Sequence, residues 1–334
     1  MITLHDSGVF LVNGVPCADA PLSRQEGRRN TMAWNILQAH SVSGDPEQLQ
    51  IRFDALVSHD ITYVGIIQQA RASGMKSFPV PYALTNCHNS LCAVGGTINE
   101  DDHVFGLSAA KKYGGIYVPA NQSVIHSYAR EQLSSCGGMI LGSDSHTRYG
   151  ALGTMAVGEG GPELAKQLLK NTWDVPYPKV VLVYLKGTPR RGIGPHDIAI
   201  ALVKATFASG FVNNCVLGFA GPGIASLPID FRNGIDVMTT ETTCLSSIWE
   251  TDEVTEEFYR THCRSEAFRP LHPGPCAWYD KYIEVDLEQA ESMIALPFHP
   301  SNAWTIHEFL ENAPEILAQV EADAQARFPK AHVK

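Results

Sequence analysis

The feature that most constrains the fold is the alternation of short apolar runs with helix-forming segments. Residues 179–187 (KVVLVYLKG) are rich in valine, which is typical of a strand buried on both faces. Residues 194–210 follow with a helical pattern that has Pro195 near its first turn and Gly210 at its end. Residues 214–221 (NCVLGFAG) form the next apolar run. This alternation predicts an α/β fold with mostly parallel sheets.

The first half of the chain shows the same alternation with more interruptions. Residues 77–87 and 137–142 have the apolar, turn-bounded character of short strands, and residues 121–133 favour a helix. Residues 46–74 favour a helix with interruptions that stops at Gly74. Both halves therefore favour the same fold class.

The chain length and one segment rich in glycine and proline indicate how the chain divides into domains. A chain of 334 residues has the length of about two domains, at roughly 100–200 residues each. Glycine, proline and arginine cluster in KGTPRRGIGP, residues 186–195. We therefore expect a first domain over residues 1–188, a second over residues 189–305, and a terminal helix within residues 306–334.

Composition excludes several classes of function. The net charge of -10 argues against nucleic acid as a partner. No apolar stretch reaches the roughly 18 residues that a membrane span needs. The eight cysteines are scattered, which is not the pattern of a disulfide framework. Since the N-terminal residues also lack the pattern of a signal peptide, we expect a reduced, cytoplasmic protein.

Three reactive side chains follow the apolar run that ends at residue 142. In GSDSHTRYGALG, residues 142–153, they are Asp144, Ser145 and His146. Ligands and catalytic groups collect at the carboxyl ends of parallel strands, so this position favours a functional site. The alternative is a turn in which the aspartate and serine cap the next helix and the histidine is packed.

His126 lies on the helix predicted before this strand. If the strand returns beside the start of that helix, the imidazole approaches Asp144. A carboxylate that accepts from one imidazole nitrogen fixes the tautomer and raises the basicity of the ring. Taken alone, His126 is also consistent with an ordinary surface histidine.

Other candidates are weaker. The segment TNCHNSLC offers Cys87, His88, Asn89 and Cys92, but a single Cys-x4-Cys spacing is a weak metal signal and loop cysteines that bind nothing are favoured. His59 and Asp60 fit either a helix cap or a pocket, and the cap is favoured. Glu241 lies among small polar residues, where a solvated glutamate is the alternative to a site residue.

Several motifs, taken in order, resemble those of the aconitase and isopropylmalate dehydratase superfamily. The family sequence Gly-Thr-Asp-Ser-His-Thr followed by Gly-Leu-Gly is similar to GSDSHTRYGALG. The other similar segments are SVIHSY (123–128), GFAGPGI (218–224), MTTETTCLS (238–246), YDKYIEVDL (279–287) and ALPFHP (295–300). The match runs from about Thr31 to about Asn302 and is nearest to an uncharacterised hydratase branch. It implies aconitase-like three-layer α/β/α domains.

The resemblance also implies roles for individual residues. It makes Asp144 the acid that pairs with His126, and it places His146 and Glu241 around a water or hydroxyl at an iron. Ser145 would bind a substrate carboxylate. His59-Asp60 and His88-Asn89 stand where aconitase has Gln-Asp and Asp-His pairs. This departure implies that His59 and Asn89 make altered substrate contacts, and that the acid has moved to His88 or the substrate differs from citrate and isocitrate.

The family holds a 4Fe-4S cluster through cysteines that lie beyond the segment matched by ALPFHP, and the chain ends at Lys334 before them. The resemblance therefore implies a cluster in the full-length enzyme, no metal ligands in this chain, and missing C-terminal domains or a partner chain. The expected activity is that of a hydro-lyase for a small hydroxy-carboxylic acid, with this chain inactive alone.

Two alternatives remain open. One is a non-catalytic module that binds a carboxylate or a partner protein. The other is a metal hydrolase whose ligands are His59, His88, His126 and His146.

Overall fold

The computed structural model describes residues 1–88 and 97–330 of the chain. Within these residues, seventeen strands alternate with ten α-helices. The strands are β1 (Ile2–His5), β2 (Val9–Val12), β3 (Val15–Cys17), β4 (Gln48–Ile51), β5 (Ala55–His59), β6 (Tyr82–Thr85), β7 (Ile116–Val118), β8 (Met139–Gly142), β9 (Met155–Gly158), β10 (Trp173–Pro176), β11 (Val180–Lys186), β12 (Val216–Ala220), β13 (Ser246–Trp249), β14 (Cys276–Tyr279), β15 (Lys281–Asp286), β16 (Met293–Ala295) and β17 (Ala303–Thr305). The helices are α1 (Arg24–Arg28), α2 (Met32–His40), α3 (Tyr63–Ala72), α4 (Thr97–Tyr113), α5 (Ile125–Gln132), α6 (Gly161–Leu168), α7 (Pro195–Phe207), α8 (Ile229–Met238), α9 (Glu253–Thr261) and α10 (Ile306–Arg327).

Two five-stranded sheets form the centre of the fold. The N-terminal sheet has the order β7-β6-β5-β8-β9 and is parallel throughout. The C-terminal sheet has the order β1-β15-β11-β12-β13 and is parallel except for β1, which pairs antiparallel with β15. Smaller antiparallel pairings join β14-β2-β3, β4-β10 and β16-β17. No helix within residues 1–88 and 97–330 has the length and apolar character needed to cross a membrane.

The N-terminal sheet is covered on both faces because its central strands carry buried apolar residues at successive positions. Alternate residues such as Leu56 and Leu141 pack in one core with α3 and α6. Their neighbours Val57 and Ile140 pack in a separate core with α5. Successive side chains of a strand point to opposite faces, so this division is the period-2 pattern of a sheet between two helical layers.

The two sheets share one buried core. Leu182 and Ile248 of the C-terminal sheet belong to the same buried cluster as Leu56 of the N-terminal sheet. At this junction the Ser246 hydroxyl of β13 donates to the Ala156 carbonyl of β9 over 2.7 Å. The helix–strand units on either side therefore meet closely enough for residues of both to form one site.

The helical interpretation of residues 46–74 is wrong for its first half. The structure has β4 and β5 there, and α3 begins only at Tyr63. In β4 (QLQI), exposed and buried residues alternate, which is the period of a strand. The short β5 lies between β6 and β8, and pairing with both decides its conformation.

The division at residue 188 stays a prediction, but sheet membership does not follow it. β1 and β11 precede residue 188, and both pair with β15 in the C-terminal sheet. The chain therefore begins in one sheet, builds the other, and returns to the first.

Candidate functional site

The candidate site lies where three neighbouring parallel strands end. β5 ends at His59, β6 is followed by Cys87 and His88, and β8 is followed by Asp144. Because β5 pairs in parallel with both β6 and β8, these carboxyl ends share one edge of the N-terminal sheet. Strand order alone therefore brings together residues that are far apart in the sequence.

Asp144 is the centre of the site and is approached by four histidines. The Nε2 atom of His126 lies 3.1 Å from Oδ1, and the backbone N–H of His146 donates to the same oxygen over 2.8 Å. The Nε2 atoms of His59 and His88 each lie 3.5 Å from Oδ2. The carboxylate side chain keeps 13% of its surface exposed. It is thus a mostly buried anion that several imidazoles share.

The hydrogen bonds decide the charge of Asp144. Burial alone would raise the pKa of this carboxyl, but hydrogen bonds from His126, His146 and His59 outweigh burial and hold the pKa far below its usual range. Burial lowers the pKa of His126 despite the contact with Asp144. Burial and the neighbouring His59 likewise lower the pKa of His88. The arrangement is therefore an ionised carboxylate beside imidazoles that favour their neutral form.

His146 differs from these histidines because it connects both sheets. Its Nε2 atom lies 3.0 Å from Oε1 of Glu241, which belongs to the turn between α8 and β13. The hydrogen bond with Asp144 raises the pKa of His146, and the charge of Glu241 raises it further. Next to it, the Thr240 hydroxyl donates to the Ser145 carbonyl over 2.7 Å. His146 is thus the imidazole of the site that most favours a proton.

Two glycines allow the loop after β8 to turn tightly enough to form the site. A Cβ atom at Gly142 would collide with the side chain of Thr147, whose hydroxyl donates to the Asp144 carbonyl over 2.6 Å. A Cβ atom at Gly158 on β9 would collide with the carbonyl of Asp144. Larger residues at either position would displace the loop that carries Asp144.

The structure brings together seven of the eight residues predicted from the sequence. They are Asp144, His146, His126, Glu241, His88, Ser145 and His59. Ser145 is exposed, and its hydroxyl lies 3.3 Å from Nδ1 of His146. Asn89 and Cys92 lie outside the described residues. The catalytic and binding roles of all eight remain predictions.

Three of the alternative interpretations are wrong. The segment after β8 continues as turns, so Asp144 and Ser145 do not cap a helix. Glu241 contacts His146 and is not simply solvated. Asp60 does not occupy the N-cap of α3, which is Thr62. The Asp60 carboxylate instead accepts from the backbone N–H of His88 over 2.9 Å and lies 3.2 Å from Nε2 of His103.

Sequence reasoning missed three residues that complete the site. Nε2 of His299 lies 3.7 Å from Oε2 of Glu241, and its ring stacks on Phe207. The hydroxyl of Tyr149 lies 3.2 Å from Nδ1 of His126, and His103 contacts Asp60. His299 and Tyr149 lie within the quoted segments ALPFHP and GSDSHTRYGALG, which was the available signal. His103 lies on α4 and stood in no motif.

The family model described as the aconitase family (aconitate hydratase) matches residues 34–333. The chain belongs to the aconitase family. The expected aconitase-like α/β fold with mostly parallel sheets is thereby confirmed. This membership accounts for the order of the motifs along the chain.

Two curated relatives of this aconitase-family chain illustrate the range of related enzymes. A mitochondrial aconitate hydratase of Schizosaccharomyces pombe is 29% identical over 314 residues, which cover 87% of this chain and 40% of that protein. A mitochondrial homocitrate dehydratase of Saccharomyces cerevisiae is 26% identical over 318 residues, covering 85% and 40%. The chain thus spans about two fifths of the length of these relatives. The cytoplasmic location expected from the sequence stays a prediction.

The described residues do not fit a 4Fe-4S cluster, the cofactor that the family implies. Such a cluster is held mainly by cysteine thiolates. Beside the site the structure has Cys87, whose Sγ atom lies 3.7 Å from Nδ1 of His88, and burial raises the pKa of this thiol. Within residues 1–88 and 97–330, no group of three or more possible metal ligands includes a cysteine. The site offers imidazoles and carboxylates instead.

Proposed function

We propose that this aconitase-family chain forms the proton-handling part of a hydro-lyase that acts on a small hydroxy-carboxylic acid. The observation that carries the proposal is the linked set His126, Asp144, His146 and Glu241, in which the two sheets supply two histidine–carboxylate pairs. Family membership and the names of the relatives support the same class of reaction.

The removal of water from a hydroxy acid needs groups of this kind. A base must take a proton from the carbon beside a carboxylate, and an acid must protonate the departing oxygen. His146 is suited to the second task because its raised pKa favours the protonated form and its side chain is 38% exposed. The neighbouring Ser145 hydroxyl is exposed and suited to bind a substrate carboxylate. The acid role of His88 stays a prediction.

Asp144 and Glu241 would act by holding His146 in place. Nδ1 of His146 lies 3.6 Å from Oδ1 of Asp144, and Nε2 lies 3.0 Å from Oε1 of Glu241. A carboxylate near each ring nitrogen fixes the ring orientation and stabilises its charge. His126 would in turn orient Asp144, since its Nε2 lies 3.1 Å from Oδ1.

The proposal includes parts that this chain does not supply. In the complete enzyme a 4Fe-4S cluster would provide a Lewis acid for the hydroxyl group. We propose that a C-terminal part, on the same polypeptide or on a partner chain, holds this cluster. This chain together with that part is the completed protein. The chain alone should then be inactive.

The test is an assay of water addition and removal with the completed protein and with the chain alone. Aconitate and homocitrate are the first probes, because the relatives are named for their reactions. Formation of the conjugated double bond is followed by ultraviolet absorbance. We expect turnover of a hydroxy acid by the completed protein only. Carboxylate binding without any turnover would contradict the proposal and favour a binding module.

A further inference from the structure

Three residues of the site form a group to which the proposed hydro-lyase chemistry gives no metal-binding role. His59, Asp60 and His88 can each offer one ligand atom such that the three atoms lie within 4.8 Å of one another. Within the described part of the chain, this is the one group of three or more such side chains. His59 and Asp60 are almost fully buried, at 5% and 1% exposure. A histidine–aspartate–histidine set with two buried members is more specific than an exposed acidic cluster.

We propose that His59, Asp60 and His88 bind one divalent transition-metal ion of the zinc or ferrous type. Two imidazoles and one carboxylate are a ligand set that these ions accept, with further positions left for water or a substrate oxygen. The site is distinct from the thiolate site of an iron–sulfur cluster. It also differs from the four-histidine set considered from the sequence, because Asp60 replaces His126 and His146.

Two neighbouring strands of the N-terminal sheet bring these ligands together. His59 is the last residue of β5, Asp60 follows it, and His88 lies in the segment after the neighbouring β6. The rings of His59 and His88 stack with their centroids 3.8 Å apart. The backbone N–H of His88 donates to Oδ1 of Asp60, which fixes the loop against this carboxylate.

An unpaired buried nitrogen supports the proposal independently. Nδ1 of His59 is buried and has no hydrogen-bond partner among the described residues. Buried polar atoms are normally satisfied, and an exception calls for an explanation such as an ion. Nε2 of the same ring faces Oδ2 of Asp144 at 3.5 Å. A neutral imidazole that directs its N–H to this carboxylate keeps a lone pair on Nδ1.

Asp144 would then have a second task as a positioning residue. Its Oδ2 atom lies 3.5 Å from the Nε2 atoms of both His59 and His88. Carboxylates that contact metal-binding histidines fix ring orientation and increase ligand strength. A bound ion would also make His88 a ligand, in place of the acid role that the family resemblance implied. The proposal concerns binding and stands whether or not the chain belongs to a hydro-lyase.

The experiment measures metal binding, so its failure is separate from failure of the activity assay. The 334-residue chain is stripped with a chelator and titrated with Zn²⁺ by calorimetry, and with Co²⁺ by visible absorbance. We expect one ion per chain. His88→Ala, which changes a partly exposed side chain, and His59→Gln should each weaken binding by about 100-fold or more. Asp144→Asn should weaken it by about 10–100-fold.

Two controls make the result specific. His307→Ala changes an exposed histidine on α10 and should leave the affinity unchanged. His146→Ala removes the histidine on the other side of Asp144 and should have at most a several-fold effect. Circular dichroism without metal checks that each variant is folded. Zinc below one ion per chain would overturn the proposal, as would affinity lost in His146→Ala but kept in His88→Ala.

Discussion

Two histidine–aspartate pairs lie at opposite ends of the strands of the N-terminal sheet and have nearly the same contact distance. The side where the parallel strands begin is called the amino edge, and the side where they end is called the carboxyl edge. At the amino edge, Nε2 of His40 lies 3.0 Å from Oδ2 of Asp54, which immediately precedes β5. At the carboxyl edge, Nε2 of His126 lies 3.1 Å from Oδ1 of Asp144. A contact distance alone would give both pairs the same importance.

The surroundings of the two pairs differ. The other ring nitrogen of His40 lies 2.8 Å from the Ile36 carbonyl of its own helix, and Asp54 accepts from the backbone of Met139. Burial alone would lower the pKa of His40, but Asp54 outweighs it and the pKa rises. For His126, burial prevails and the pKa falls. The first pair links α2 to the sheet, whereas the carboxylate of the second is shared with three further histidines.

The largest difference between the pairs should appear when each aspartate becomes an asparagine. Asp144→Asn in the completed protein should lower turnover by about 10²–10⁴-fold, the usual range for loss of acid–base function. The variant keeps the side-chain volume but removes the charge that orients the imidazoles. Steady-state kinetics with whichever hydroxy acid is turned over provide the measurement.

The matched control is Asp54→Asn, which removes the corresponding charge at the amino edge. We expect its turnover to stay within about threefold of the wild type, because Asp54 lies across the sheet from the site. Equal losses in the two variants would show that Asp144 supports the fold and not the reaction.

The sequence could predict one half of this comparison. Asp144 and His126 follow or precede an apolar strand within quoted motifs, so their approach followed from strand and helix order. The His40–Asp54 pair gives no such signal, because the pattern of residues 46–74 favours a helix and does not indicate the strand β5 that follows Asp54. The sequence likewise favours a helix cap at Asp60.

His299 shows a different limit of prediction from sequence. It stands in the recognised segment ALPFHP, but its approach to Glu241 depends on where the chain runs after β15 and β16. Local patterns determine single elements, whereas contacts between distant segments depend on packing of the two sheets. The shared carboxylate at Asp144 is such a contact, since His59 and His88 arrive from two separate segments.

Loss of His146 should have a smaller effect on turnover than loss of the charge on Asp144. His146→Ala in the completed protein should lower turnover by about 10²-fold, at the low end for acid–base groups, because Asp144 and His126 remain paired. Its free energy of unfolding should change by less than about 1 kcal/mol, since the side chain is more than one third exposed. Kinetics and urea unfolding on the same preparation test both statements. A loss of stability as large as the loss in transition-state free energy would identify a packing histidine instead.

The smallest effect is expected at the amino edge, where His40→Gln should lower stability by about 1 kcal/mol without changing turnover. The pKa of His40 is raised above its ordinary 6.5 by Asp54, so its stabilising contribution is complete below that pH and is lost as pH rises through the folded pKa. The pKa of Asp54 is lowered from 3.8, so its contribution is present above that value and is lost as pH falls through the folded pKa.

Urea unfolding at several pH values is the measurement. The difference in the free energy of unfolding between wild type and His40→Gln should be largest between these two limits and should shrink at alkaline pH. His307→Gln, which changes the exposed pair with Glu311, should have little effect on the free energy of unfolding. If the difference in the free energy of unfolding were the same at every pH, His40 would act by packing alone. The amino-edge pair would then differ from the site in its burial and not in its charge.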